Sequence, residues 1–500
     1  MRSCIVALVL MFGTTTFVQG GEPSKKEMDD LLRDALEYWR APGLAAAVVL
    51  DDKVIYLNGH GVRQVGRNDP VTADTLFAIG SCTKAFTATA MAILVDEGKI
   101  DWDDKVSKHL PSFRLDDPLA DHDVRLRDLL CHRIGLARHD LLWYRAPWSV
   151  RESVRRMAFL ERKSSFRSTY EYNNLAYLAA GQAVEAVAKQ PWHVFVNQHL
   201  FEPLGMKDAV FTSGAAQKSG RAATPHGYDG DGKIVPIPWY NDDEQIRASG
   251  SIKASAADLT HWLRFQLAGG KYRGKQLVSA EALEETHTPQ IPMPLGVPGA
   301  TQPSYGLGWQ ITEYRGQAVH LHGGAVDGFR AGIVLVPRKK LGVVVLANVE
   351  EMGIVQAASR NLLDLLLDLE KKNWNHYFDD ERKKSKEAEA ERLRKRLAGR
   401  IRGTKAKALD FYAGTYTEPA YGTVTIAKKG EGLALNWSSF TIPLTHFHYD
   451  TFVTPATDLT LPIDLRVAPV VFEMNEDAEI AVLRFLDRKF SRTKRRERTN

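Results

Sequence analysis

Residues 80–98 read Gly80-Ser-Cys-Thr-Lys-Ala-Phe-Thr-Ala-Thr-Ala-Met-Ala-Ile-Leu-Val-Asp-Glu-Gly98. From Ser81 to Glu97 the stretch lacks Gly and Pro and is apolar on most sides, which predicts a buried helix that ends at the glycine. Ser81 and Lys84 are three residues apart and therefore share a helix face. Lys84 can then hydrogen-bond Ser81 Oγ, an arrangement typical of an activated nucleophile.

The Ser-x-x-Lys pattern alone is weak evidence for catalysis. It recurs at Ser491-Arg492-Thr493-Lys494, where no apolar helix follows. Ser81 is also a suitable helix N-cap residue, with Lys84 on a solvated face. The catalytic interpretation therefore depends on further motifs.

Two more motifs follow in a suitable order and context. Tyr172-Asn173-Asn174 ends a polar stretch before a predicted helix over residues 175–189. His322-Gly323-Gly324 comes at the end of a predicted strand, where glycines allow a substrate to approach the strand edge closely. Each motif has an ordinary structural explanation, such as a capping Asn, a core Tyr or a turn glycine. All three together, in this order, favour an active site.

The remaining pattern of the first 372 residues predicts an α+β fold. Residues 43–60 read as a β-hairpin, and residues 120–300 as a mainly helical region. Further strands are predicted after residue 300. We expect them to share one antiparallel sheet with the early hairpin. These late strands are predicted at residues 318–322, 329–336 and 341–348.

The C-terminal part has a different character. Residues 379–407 alternate Glu with Lys and Arg, which favours a solvated helical linker over an interaction segment. Short alternating runs from Leu409 onward predict a small all-β barrel or sandwich. We therefore predict a catalytic domain over residues 21–372, a linker over 373–407, a barrel domain over 408–492 and a basic tail over 493–500.

Composition excludes several classes of protein. The 500 residues are 44% hydrophobic and 25% charged, unlike disordered, collagen-like or polytopic membrane proteins. The net charge is only +5, and residues 492–500 alone hold five basic side chains and one Glu. A nucleic-acid-binding face is therefore not indicated.

Residues 1–20 follow the pattern of a signal peptide, with Arg2, an apolar run from Ile5 and small residues near Gly20. We expect cleavage near Gly20 and a secreted or periplasmic protein without an integral membrane span. Cys82 and Cys131 then remain, which excludes a disulfide framework but leaves one disulfide possible. His446-Phe447-His448 reads more readily as an ordinary strand than as a metal site, so no metal is expected.

The three motifs are accompanied by other characteristic segments. These are Leu-Leu-Cys-His-Arg-Ile-Gly-Leu at 129–136, Pro-Leu-Gly-Met at 203–206 and Tyr-Gly-Leu-Gly-Trp at 305–309. Together they resemble the serine β-lactamase and penicillin-binding protein-like superfamily, in its class C-like branch of D-aminopeptidases, D-Ala-D-Ala carboxypeptidases and esterases. The segment from Phe411 onward is similar to the lipocalin-like C-terminal domain of some members. The resemblance implies a β-lactamase-like fold.

The resemblance also implies roles for the site residues. Ser81 would be the acylated nucleophile, and Tyr172 would act with Lys84 as general base, because an adjacent ammonium favours the phenolate. Asn174 would orient Lys84 and bind a substrate amide. The backbone N–H groups of Ser81 and Ala325 would form the oxyanion hole, and no cofactor is implied.

One departure from the family pattern affects the expected substrate. Many β-lactamases have Lys-Thr-Gly where this chain has His322-Gly323-Gly324, so a titrating imidazole replaces a permanent cation. We therefore expect His322 to contact a substrate carboxylate only when protonated. A small peptide, amide or ester, above all a D-amino-acid peptide, is favoured over a β-lactam.

Two alternatives remain open from the sequence. The first is a carboxylesterase of the same family. The second is a non-catalytic envelope or glycan-binding protein, whose signature would be loss of Ser81, Lys84 or Tyr172, all of which are present. The sequence leaves the oligomeric state undetermined.

Overall fold

The computed structural model describes residues 23–241, 243–294, 300–456 and 461–493. The predicted signal peptide and residues 494–500 of the predicted tail lie outside these ranges. The α-helices are α1 (Lys25–Tyr38), α2 (Thr83–Asp96), α3 (Val106–His109), α4 (Pro118–Asp123), α5 (Leu126–Leu130), α6 (Val150–Arg155), α7 (Asn174–Ala188), α8 (Trp192–Val196), α9 (Glu202–Leu204), α10 (Ser213–Lys218), α11 (Asp243–Gly250), α12 (Ala256–Leu267), α13 (Ala280–Thr286), α14 (Met352–Leu366) and α15 (Trp374–Ala398).

The strands form one large sheet, one barrel and three small two-stranded sheets among the described residues. They are β1 (Gly43–Leu50), β2 (Lys53–Gly61), β3 (Phe77–Ala78), β4 (His226–Tyr228), β5 (Ile234–Pro236), β6 (Lys253–Ala254), β7 (Lys271–Tyr272), β8 (Lys275–Gln276), β9 (Ile291–Pro292), β10 (Ala300–Tyr305), β11 (Gln310–Tyr314), β12 (Gln317–Val326), β13 (Phe329–Val336), β14 (Leu341–Ala347), β15 (Gly414–Glu418), β16 (Gly422–Lys429), β17 (Gly432–Trp437), β18 (Phe440–His448), β19 (Thr451–Val453), β20 (Pro469–Met474), β21 (Ile480–Phe485) and β22 (Arg488–Arg492).

The large sheet is antiparallel, with strand order β2-β1-β14-β13-β12-β11-β10-β9. The predicted early hairpin is confirmed, with Val48 opposite Tyr56. β1 also pairs with β14, with Leu44 opposite Ala347. The expectation that the early hairpin and the late strands share one sheet is therefore confirmed.

Helices cover both faces of this sheet, which explains why β1 and β14 are almost continuously apolar. α1 and α14 pack on one face, while α12 contacts β1 and β14 from the other. Each face has its own hydrophobic core, and the side chains of the central strands alternate between the two. The α+β architecture predicted from the sequence is confirmed.

α2 lies inside the larger of the two cores. Twelve of its residues are buried, so the helix is hydrophobic all round as the sequence indicated. It packs against α7, α11 and α13. Gly98, which follows the helix, has a φ of +67°, a conformation that favours glycine.

The charged segment after the sheet is helical, as predicted. In α15 only Trp374, Phe378 and Asp379 are buried, and the rest of the helix is largely solvated. The chain then forms a closed eight-stranded barrel, in which Tyr416 of β15 pairs with Arg492 of β22. This settles the choice between a barrel and a sandwich.

The barrel contacts the helical region of residues 120–300. Arg156 Nη1 donates a hydrogen bond of 2.7 Å to the carbonyl of Ala420. His139 Nδ1 lies 2.9 Å from Tyr421 Oη. The barrel is thus held against the loops that flank α6.

The described part of the chain also gives findings on cysteines, helix hydropathy and metal-ligating residues. Cys82 and Cys131 are both buried and free, so they form no disulfide with each other. No described helix has the length and hydropathy that a membrane span requires. The described residues contain no cluster of three or more His, Cys, Asp or Glu suited to a metal ion.

Candidate active site

Ser81 lies in a tight turn, Gly80–Cys82, directly before α2. Gly80 has a φ of +50°, in the left-handed region that favours glycine. The turn places Ser81 on the wall of a cleft of about 650 Å³. The hydroxyl therefore faces a space large enough for a small substrate.

Lys84 is completely buried beside Ser81. Its Nζ lies 3.1 Å from Ser81 Oγ, 2.7 Å from Asn174 Oδ1 and 2.8 Å from the carbonyl oxygen of Ser249. Burial, helped by the Arg138 guanidinium, lowers the pKa of Lys84 well below its usual value. In its neutral form, the Lys84 amine can donate its two hydrogens to Asn174 Oδ1 and to the Ser249 carbonyl oxygen, which can only accept. The nitrogen lone pair can then accept a hydrogen bond from the Ser81 hydroxyl.

Tyr172 approaches Ser81 from the loop before α7. Its Oη donates a hydrogen bond of 2.8 Å to Ser81 Oγ. Burial raises the pKa of Tyr172, although the Ser81 hydrogen bond and Arg138 oppose the shift. This direction differs from the sequence expectation of a phenolate stabilised by an ammonium. The structure instead keeps Tyr172 as a neutral phenol next to a lysine that loses its proton easily.

Asn174 joins Lys84 to a polar network at the cleft wall. Its Nδ2 donates to Asp140 Oδ1 at 2.9 Å, while its Oδ1 accepts from Lys84. Arg138 Nε donates to the other carboxylate oxygen of Asp140 at 2.7 Å. The guanidinium of Arg138 also lies 4.8 Å from the centroid of the Tyr172 ring. Asn174 is thus fixed on both sides, which orients the lysine.

The glycines of the third motif bring β12 against the serine turn. A Cβ built on Gly324 would lie 1.9 Å from the carbonyl oxygen of Ile79, and one on Gly80 would lie 2.6 Å from the Ala325 nitrogen. Only glycine permits this approach at either position. Gly323 differs, since a Cβ there would meet nothing closer than 3.9 Å. The backbone of Ala325 is therefore held next to the serine turn.

His322 is buried and both of its ring nitrogens are engaged by the protein. Nδ1 donates to the carbonyl oxygen of Gly323 at 2.7 Å, so Nε2 accepts from Tyr305 Oη at 2.8 Å. Burial, with the charge of Lys84, lowers the pKa of His322 to about 3. The expectation of a cationic imidazole that contacts a carboxylate is thus corrected, because a buried neutral ring occupies this place.

The cleft is lined by residues from all parts of the chain. Asp464 of the barrel domain contributes a carboxylate to the wall. Trp143 and Tyr144 also line the cleft, whereas Trp309 is fully buried in the core. The structure thus brings together all of the predicted site residues, Ser81, Lys84, Tyr172, Asn174, His322, Gly323, Gly324 and Ala325, around one cleft or directly beside it.

Sequence reasoning missed several groups at this site. The Ser249 carbonyl is a backbone acceptor, and no side-chain pattern indicates it. Tyr305 begins the Tyr-Gly-Leu-Gly-Trp segment, which carries the family resemblance but predicts no contact with His322. Asp140 accepts a hydrogen bond from the Asn174 amide and was not among the predicted site residues. Its position two residues after Arg138 was the available signal.

His132, of the segment at 129–136, has a structural position behind the site. Its Nδ1 accepts a hydrogen bond of 3.0 Å from the backbone N–H of Asn173. Its ring lies 4.3 Å from the Tyr172 ring, centroid to centroid. His132 therefore supports the loop that carries Tyr172.

Comparison with known proteins finds relatives in sequence and in fold. A hydrolase of unguisins from Aspergillus campestris is 28% identical over 426 residues, which cover 81% of this chain and 78% of that protein. The octameric penicillin-binding protein homologue from Pyrococcus abyssi has a similar fold, with a TM-score of 0.62 at 22% identity, covering 93% of this chain and 98% of that one. The D-amino acid amidase from Ochrobactrum anthropi matches 68% of this chain and 98% of its own, with a TM-score of 0.56 at 21% identity.

Family models cover the two domains separately. Residues 400–497 match a domain of unknown function, DUF3471. Residues 28–367 match the Beta-lactamase family and include every predicted site residue. The chain is therefore a member of the Beta-lactamase family, and its relatives include hydrolases.

Proposed function

We propose that the chain is a secreted serine hydrolase that forms an acyl-enzyme at Ser81 and cleaves amide bonds of peptides or amides that contain D-amino acids. The observation that carries the proposal is the contact of Ser81 Oγ with Lys84 Nζ at 3.1 Å and with Tyr172 Oη at 2.8 Å. A nucleophile, a low-pKa base and a neutral proton donor in one cleft are the groups that acyl transfer needs.

The reaction follows from these contacts. Ser81 Oγ attacks the substrate carbonyl carbon and its proton passes to the neutral Lys84 amine. The carbonyl oxygen becomes an oxyanion next to the backbone N–H groups of Ser81 and Ala325. The C–N bond then breaks, and the proton returns from Lys84 through the Tyr172 hydroxyl to the leaving amine. Water hydrolyses the Ser81 ester by the same route, which releases the acid and restores the serine.

The charge on the cleft wall supports a substrate with a free amino group. Asp464 places a carboxylate on the wall, whereas Asp140 is already paired with Arg138 and neutral His322 offers no charge to a substrate carboxylate. An α-ammonium group would be attracted to such a wall. The D-amino acid amidase among the structural neighbours supports this substrate class. A β-lactam, which carries a carboxylate near the scissile bond, is less suited.

A labelling experiment tests the acyl-enzyme. A fluorophosphonate probe should label the wild type and leave Ser81→Ala unlabelled. Lys84→Met should be labelled slowly. Equal labelling of the wild type and Ser81→Ala would refute Ser81 as the nucleophile.

A substrate panel tests the class of substrate. We expect hydrolysis of D-phenylalanine amide to exceed that of L-phenylalanine amide and of nitrocefin. Asp464→Asn should raise the KM for the amide several-fold and leave p-nitrophenyl acetate unaffected. A carboxylesterase would show the reverse preference, with fast cleavage of the ester and none of the amides.

The proposal that the protein is secreted rests on the signal-peptide pattern of residues 1–20. N-terminal sequencing of the protein recovered from its native host should give a start near residue 21. A mature protein that begins at Met1 would contradict secretion through this segment.

A further inference from the structure

The cleft does not end at the catalytic face of the sheet. β11 pairs with β12 only as far as Gln310 opposite Leu321, so residues 322–326 have no neighbouring strand on that side among the described residues. The lining of the cleft continues around this edge onto the opposite face. There it includes what we call the outer groove, formed by Val319, Leu321, Val334, Val355, Ser359 and Arg360.

The walls of the outer groove are apolar and belong to the second core. Val319 and Leu321 alternate along β12 with His320 and His322, so they face away from the catalytic side. Val319 is part of the core under α14, and Leu321 packs against that core. Gly323, on the same face, adds no side chain to the cavity, which is also lined by Met352. The outer groove thus has room for an apolar chain that passes the strand edge.

One end of the outer groove is polar and lacks partners. Ser359 is 6% exposed, and its Oγ has no hydrogen-bond partner among the described residues. The Arg360 Nε also has none, and Arg360 forms no ion pair in the part of the chain that the structure describes. A buried hydroxyl and a buried guanidinium N–H left without partners carry a desolvation cost that an anionic ligand would remove.

The surroundings of Arg360 hold the guanidinium over aromatic rings. It lies 4.8 Å from the Tyr314 ring centroid and 5.5 Å from that of Trp374. The nearby carboxylate of Asp364 is occupied, since it accepts from Tyr314 Oη and Trp374 Nε1 and pairs with Arg315. Tyr314 and the Asp364 carboxylate therefore stabilise the charge of Arg360 in part, while its Nε still has no hydrogen-bond partner among the described residues.

We propose that the outer groove binds a medium-chain alkyl carboxylate, with the alkyl chain against Val319, Leu321, Val334 and Val355 and the carboxylate on Arg360 and Ser359. A bidentate guanidinium–carboxylate contact and a hydroxyl donor suit this head group, and the walls suit a straight apolar tail. The ligand site is separate from the serine, so it stands independently of the proposed hydrolysis.

Calorimetry with full-length Ser81→Ala tests the site without turnover, with octanoate and 1-octanol as probes. We expect octanoate to bind, and Arg360→Gln to weaken its binding about tenfold or more. Binding of 1-octanol should change less than twofold in Arg360→Gln. Arg382→Gln is the matched control, because Arg382 also lies over a tryptophan ring but pairs with Asp379 and Glu351. It should leave both affinities unchanged.

Two further variants test where octanoate binds. Leu321→Trp fills the outer groove and should abolish binding of both probes, even if Arg360→Gln fails to fold. Arg138→Gln alters the other guanidinium on the cleft wall and should have no effect on octanoate. Absence of octanoate binding, equal loss in Arg360→Gln and Arg382→Gln, or loss in Arg138→Gln with retention in Leu321→Trp would each overturn the proposal.

Discussion

The Tyr305 hydroxyl donates a hydrogen bond of 2.8 Å to Nε2 of His322, so the imidazole of the third motif is fixed by the protein. The ring is buried and its pKa is lowered to about 3. Its proton count therefore does not change across the range in which enzymes are normally assayed.

The first prediction concerns the pH profile. Between pH 5 and 8 we expect kcat/KM for a carboxylate-bearing ester and for a neutral ester to change with pH in the same way. His322→Gln should keep that shape. Initial-rate measurements in both proteins test this. A break near pH 6.5 that appears only for the carboxylate substrate and vanishes in His322→Gln would contradict a neutral imidazole.

Lys84→Met should lower kcat/KM about 10³-fold, because it removes the amine that accepts the serine proton. In the wild type the rate should rise with pH as Lys84 loses its proton. The lowered pKa moves that rise well below the usual titration range of lysine. The measurement is a pH series with a neutral ester. A variant that keeps wild-type rates above pH 8 would show that Lys84 is not the base.

Tyr172→Phe should reduce kcat about a hundredfold and change KM little. The substitution removes only the Tyr172 hydroxyl that donates a hydrogen bond to Ser81 Oγ. Tyr170→Phe is a matched control, because Tyr170 also lines the cleft but makes no hydrogen bond to Ser81. Steady-state kinetics of both variants separate the two residues. Equal losses would indicate a general effect of cleft tyrosines.

Gly324→Ala should destabilise the protein by about 1–3 kcal/mol, because its Cβ would overlap the Ile79 carbonyl and push β12 off the serine turn. Gly323→Ala should change the free energy of unfolding by less than about 0.5 kcal/mol, since its Cβ has space. Urea unfolding of both variants tests the difference. Similar losses in the two would contradict the close approach.

Buried histidines should make the protein sensitive to acid. Burial lowers the pKa of His287 to about 3, and the pKa of His132 also lies well below its usual value. Between these values and about 6.5 the unfolded chain binds more protons, so stability falls as the pH drops below 6.5. At pH 5 each fully buried histidine should cost about 2 kcal/mol.

The contribution of His287 can be isolated. The free energy of unfolding, measured in urea at pH 7 and at pH 5, should fall less in His287→Gln than in the wild type. The two pH dependences should differ by the uptake of one proton on unfolding. Identical pH dependence in the two proteins would mean that His287 is protonated in the folded state.

Much of the fold was predictable because its signals are local. The hairpin follows from apolar runs around a polar turn, and α2 from a glycine-free apolar stretch that ends at Gly98. The contact of Lys84 with Ser81 follows from their spacing on one helix face. Each of these features depends on neighbours in sequence.

The remaining features depend on burial, which a single sequence does not reveal. The orientation of His322 and the lowered pKa of Lys84 result from packing against elements far away in the chain. The Ser249 carbonyl near Lys84 is a backbone atom and leaves no mark in the sequence. Nor does any pattern near Asp464 indicate that the barrel reaches the cleft.

The pairing of Leu44 with Ala347 has a consequence for biosynthesis. About three hundred residues separate the two strands, and pairings of such long sequence separation form slowly. A nascent chain therefore cannot complete the central sheet until β14 has left the ribosome. Since β12 belongs to that sheet, the turn that carries Ser81 gains its final strand contacts only late in synthesis. For the exported hydrolase proposed above, the cleft at Ser81 would therefore be complete only after the chain has crossed the membrane.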